Sequence, residues 1–135
     1  MTGIYQSSGG SCTDRGAFSG TLIPSMDGTY SGQLEFPDDR TDNVSATLTE
    51  SSGNSLTINA TVSGMDTGTT LLTGTVIGDG FAASGTFQGQ PISYYSYYDA
   101  SLFALRVFEA SSGEYVGSLY AAGHAPSGNG AAFVR

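Results

Sequence analysis

The chain has 135 residues, of which 12% are charged, and its 12 carboxylates against four arginines give a formal charge of -8. One core of ordinary domain size is expected, and the negative charge works against phosphate backbones and anionic membrane surfaces, so no nucleic-acid partner is expected. The single cysteine (Cys12) can make no internal disulfide, and with only one histidine (His124) it is a poor start for a zinc site; no cofactor or metal is expected.

Residues Met1 to Gly10 have neither the basic region nor the apolar stretch of a signal peptide, so export would depend on a leader outside this sequence. No run of 18 apolar residues is present, which predicts no transmembrane helix. Ser8-Gly9-Gly10-Ser11-Cys12 lacks the apolar residues of a lipidation signal, and Cys12 reads as a loop thiol.

From Gly28 onward the apolar residues fall at every second position, the period of a strand with one buried face. Over Gly28 to Phe36, Tyr30, Leu34 and Phe36 share one face, with Thr29, Ser31, Gln33 and Glu35 on the other. The acidic segment Pro37 to Asn43 reads as a solvated turn rather than a calcium loop. Val44, Ala46 and Leu48 carry the alternation through Asn43 to Glu50, and Leu56, Ile58, Ala60 and Val62 carry it through Ser55 to Val62, with a hairpin turn at Ser51-Ser52-Gly53-Asn54. Leu72, Gly74 and Val76 follow on the inner face, then the turn Gly78-Asp79-Gly80, then Phe81, Ala83, Gly85 and Phe87. Further strands are predicted at Ile92 to Tyr98, Leu102 to Glu109, Glu114 to Ala121 and Gly130 to Arg135. Leu102 to Phe108 is apolar on both faces except at Arg106, which predicts a strand covered on both sides, as beneath a loop, or one at a subunit contact.

Short strands, short connections and no helical period predict an all-β, antiparallel up-and-down barrel of about eight to ten strands in one domain spanning 1–135, with a β-sandwich as the alternative. Residues 1–23 add a hairpin that resembles 114–135. Tyr5, Gly16, Ala17 and Phe18 stand in the order of Tyr120, Gly130, Ala131 and Phe133.

Gly28-Thr-Tyr-Ser-Gly-Gln-Leu34, Val44 to Ile58, Leu72-Thr-Gly-Thr-Val76 and Phe81-Ala-Ala-Ser-Gly-Thr-Phe87 together resemble the small calycin-like β-barrel domains of bacterial surface lipoproteins. Residues 5–22 resemble the closing hairpin of such a domain, with Ile23-Pro24-Ser25-Met26 as a linker into the next. The resemblance implies an exported, periplasmic or cell-surface location and brings no established chemistry.

Two sets of residues are candidate binding groups. Tyr94, Tyr95, Tyr97 and Tyr98 place two phenols on each face of an extended segment, so one pair faces solvent, where tyrosine suits glycan or protein recognition. Tyr30, Phe36, Leu48, Ile58, Leu72, Phe87, Phe108, Tyr115 and Phe133 are the expected lining of the barrel, around a filled core or a small apolar ligand. His124 has no nucleophile elbow beside it, and the expectation is a non-enzymatic binding or structural module. A lipocalin-like carrier and a surface or fibre component assembling by strand exchange are the alternatives.

Overall fold

The computed structural model describes residues 2–9 and 12–19 as backbone, and residues 25–35 and 40–124 in full. Ten strands form: β1 (Thr2–Gly9), β2 (Cys12–Ser19), β3 (Gly28–Glu35), β4 (Thr41–Ser51), β5 (Ser55–Ser63), β6 (Gly68–Ile77), β7 (Gly80–Phe87), β8 (Gln90–Asp99), β9 (Ala104–Glu109) and β10 (Tyr115–Ala121). Strands β3 to β10 close an eight-stranded antiparallel up-and-down barrel, in which each strand pairs with its sequence neighbours and β10 returns to β3. β1 and β2 pair with each other as a separate two-stranded sheet, from Thr2 opposite Ser19 to Gly9 opposite Cys12. Cys12 therefore begins a strand rather than sitting in a loop. The predicted strand at 130–135, and with it Phe133, lies outside the described residues, as does Phe36.

Alternation builds the interior. Tyr30 and Leu34, Val44, Ala46 and Leu48, Leu56, Ile58, Ala60 and Val62, Leu72, Phe81 and Ala83, Leu105 and Val107, and Leu119 form one buried cluster. The intervening positions of β4 and β5 carry Ser, Thr and Asn, and those of β6 carry Thr69, Thr73 and Thr75 beside the exposed Leu71 and Ile77, so the outer face there is mainly polar, unlike the apolar band of a lipid-spanning barrel. Among the described residues no helix is long and apolar enough to cross a membrane.

Turn chemistry fixes the register. Gln88 and Gly89 both take positive φ (50° and 78°) between the paired residues Phe87 and Gln90, as a two-residue hairpin matched to strand twist requires. On β10 the pairing with β9 slips between Tyr115 and Gly117, leaving Val116 as an inserted residue. Gly117 has φ 148°, and a Cβ there would press on the carbonyl of Gln33, so the bulge depends on glycine.

Both ends are tied down by carboxylates. The segment before β3 brings Met26 into the core at 2% exposure. Its backbone N–H donates to Glu50 Oε1, while the Glu50 N–H donates to Asp27 Oδ1. Residue 26 is thus a plug in the core rather than part of a linker. At the other end Asp42 is 1% exposed and accepts from the N–H of Met65 (2.7 Å) and of Asp66 (3.3 Å), with Arg40 bridging Asp66 at 3.1 Å. The acidic segment is therefore not wholly a solvated turn, because Asp42 turns inward to hold the β5–β6 loop.

Candidate functional site

Strand β8 decides which tyrosines meet water. Ile92, Tyr94 and Tyr98 pack against the core and Ser96 is buried, so Tyr95 and Tyr97 are the outward pair. β9 continues the outer surface. Leu105 and Val107 are buried inside, which sends Arg106 and Phe108 to the outside. On β10 the inserted Val116 reverses the parity of everything before it, so Tyr115 also faces out.

Phe108 and Tyr115 are therefore corrections to the predicted lining: neither belongs to the interior. Arg106, two residues before Phe108, was the available sign of Phe108's orientation, because a lone guanidinium does not face an apolar core. Nothing in the sequence announced the bulge that turns Tyr115. Leu102 and Phe103, predicted inside a covered strand, lie in the β8–β9 turn at 48% and 46% exposure. Asp99 accepts from the N–H and hydroxyl of Ser101 there and delays the start of β9. Phe103 stacks on His124, with centroids 4.0 Å apart.

The outward aromatic residues form one constellation. Tyr95, Phe108 and Tyr115 lie opposite one another across β8, β9 and β10. The Tyr95 and Phe108 rings are stacked (5.1 Å, 4° between planes), and Tyr115 meets Phe108 edge-on at 5.5 Å. Tyr97 stands nearly perpendicular to both stacked rings, at 79° to Tyr95 and 75° to Phe108. It is the ring most open to water, at 51% exposure. Across the β7–β8 ladder Tyr97 faces Gly80, where a Cβ would sit 3.3 Å from Tyr97 Cδ1. A side chain at position 80 would first strike the Ser96 carbonyl, with the Tyr97 ring just beyond it. Arg106 places its guanidinium 5.3 Å over the Tyr115 ring, and the Tyr115 hydroxyl shares a 2.7 Å hydrogen bond with Ser118. The result is a corner of two aromatic planes with a cation and hydroxyls at its rim.

The interior is mostly filled. The residual apolar cavity measures about 60 Å³, between Leu34, Leu48, Ile58, Leu72, Phe87, Ile92, Tyr94 and Leu105 among others. That is well below the roughly 150 Å³ of an engineered cavity that admits benzene. Of the predicted lining, Leu48, Ile58, Leu72 and Phe87 border this cavity. Tyr30 is buried beyond it, near Tyr98, Glu50 and Asp27. Burial, followed by those neighbours, raises the Tyr30 pKa above 10.0, and burial followed by Glu109 does the same for Tyr94. Glu109 is held below the ordinary carboxylate value by the hydroxyls of Ser112 and Ser111, outside the cavity.

Among the described residues, no cluster of His, Cys, Asp and Glu has the makeup of a metal site. No family model matches the chain, and neither a curated protein nor a solved structure does.

Proposed function

We propose that this barrel is a non-enzymatic, exported binding module whose recognition surface is the outer face of β8, β9 and β10. One observation carries the reading: four aromatic side chains from three adjacent strands converge on the water-facing side, while the lumen keeps about 60 Å³. Aromatic rings on a rigid sheet offer contact area with little entropy to lose on binding. Export rests on the resemblance to surface lipoprotein domains. Side-by-side glycan and peptide arrays test the reading: saturable signals should weaken at least tenfold in the Tyr95→Ala/Tyr97→Ala protein, assayed well below its own melting temperature. Equal signals from both proteins, or reproducible turnover of any arrayed compound, would remove it.

A second reading, assembly through the N-terminal hairpin, has one observation in its favour. β1 and β2 pair with each other and with no described barrel strand, which leaves outer edges open to strand addition. Sedimentation velocity over a concentration series checks it. Association in the full chain that disappears on deleting residues 1–22 supports assembly, and a monomer throughout ends it. The carrier alternative has the small apolar cavity, with room for a few heavy atoms, and an open, more polar depression of about 680 Å³ bordered by Asp66, Phe87, Gln90, Tyr94 and Glu109.

A further inference from the structure

We propose that the occupant of the aromatic corner is a neutral polysaccharide whose sugars carry equatorial hydroxyls. This inference rests on the outer face being the recognition surface and adds the chemical class of its partner.

Tyr97 runs beside Gly80 with half of its surface open to water, and the stacked pair Tyr95 and Phe108 stands at 75° to 79° to it. A pyranose ring with equatorial hydroxyls has the complementary form: flat C–H faces, and a rim of hydroxyl groups at the edge. One face lies on Tyr97 while the ring edge meets the neighbouring wall. Arg106, directly opposite Tyr97 in register, brings guanidinium donors to the hydroxyl rim, and Ser118 follows on the next strand.

Charge narrows the class. A molecule of net charge -8 repels polyanions at long range, which disfavours stacked nucleobases on a phosphate chain and uronic-acid polymers. A neutral sugar pays no such penalty. Area then separates a sugar from a protein. Only Tyr97 among the four rings is mostly open to water, and the four rings with the exposed Ile77 beyond Gly80 in register are far fewer than the roughly 20–30 residues a side of a standard protein interface. The corner sits on a convex sheet rather than in a pocket, so it suits one or two residues of a long chain.

Native affinity electrophoresis uses the protein as it is, since its acidity carries it toward the anode. Gels are cast with hydroxyethylcellulose, with xylan, or with polygalacturonate as the anionic arm. The expected result is retardation by at least one of the two neutral polymers and none by polygalacturonate. Tyr97→Ala should weaken that retardation at least tenfold, while Tyr97→Phe, which keeps the ring, stays within about twofold. Tyr97→Gln serves as a second ring-deleting variant should the alanine form lose its melting transition. Retardation by polygalacturonate alone, retardation by neither neutral polymer, or retardation that survives both ring deletions overturns the proposal. Peptide-array binding that depends on Tyr97, without retardation by either neutral polymer, would sink the polysaccharide and leave the recognition surface standing. Failure of both measurements sinks both.

Discussion

Tyr95 and Phe108 stack on the outside of the barrel with their planes 4° from parallel and their centroids 5.1 Å apart, directly opposite each other in the β8–β9 ladder. Cross-strand aromatic pairs of this kind contribute about 0.5–1.5 kcal/mol beyond the area they bury. A double-mutant cycle of Tyr95→Ala and Phe108→Ala, read by urea unfolding, should return a coupling of about that size. Additive single variants would mean that the stack is not formed in solution.

Asp42 is the buried carboxylate that receives the N–H groups of Met65 and Asp66. Replacing it by alanine leaves those donors without their acceptor and costs about 1–3 kcal/mol. Asp42→Asn keeps one oxygen in place and should cost less. The midpoint of chemical denaturation checks the order, and an alanine variant as stable as the parent would contradict the role.

Ser96 is inward-facing and 1% exposed, and its hydroxyl has no hydrogen-bond partner among the described residues. A buried hydroxyl in that state is a cost rather than a support. Ser96→Ala should therefore leave stability unchanged or raise it by up to about 1 kcal/mol in thermal unfolding. A loss of more than about 1 kcal/mol would show that the hydroxyl has found a partner.

Tyr30 and Tyr94 have raised pKa values, burial being the first cause of both. The fold favours the protonated phenol, so this contribution to stability is intact below the ordinary tyrosine value of 10.0 and is lost as pH climbs through the raised values. A spectrophotometric phenolate titration should show a late step, above the ordinary tyrosine value, that coincides with loss of the β-sheet circular dichroism signal. A single step near the ordinary value with the fold intact would contradict the burial.

The barrel was readable where polar and apolar residues alternate cleanly. Val44-Ser-Ala-Thr-Leu48 and Leu56-Thr-Ile-Asn-Ala60 each admit one inward face, and both took it. Reading failed where the two faces looked alike. Tyr94-Tyr-Ser-Tyr-Tyr98 carries two tyrosines on each side, and packing selects Tyr94 and Tyr98 for the interior. Leu102 to Leu105 is apolar on both faces, so the turn nucleated by Asp99 and Ser101 set where the strand began. Tyr115 obeyed a period of two on paper, and one bulged residue reversed it. Met26 and Asp42 were hidden for another reason: each is an isolated residue whose burial depends on a distant strand or loop.

The account stands on recognition at the outer aromatic corner rather than in the lumen. A nuclear magnetic resonance titration with a neutral β-linked gluco-oligosaccharide locates binding residue by residue. Shifts concentrated at Tyr95, Tyr97, Arg106, Phe108 and Tyr115 are the predicted result. Shifts confined to Leu34, Ile58, Leu72 and Val107, or none at the five surface residues at saturating sugar, would contradict it.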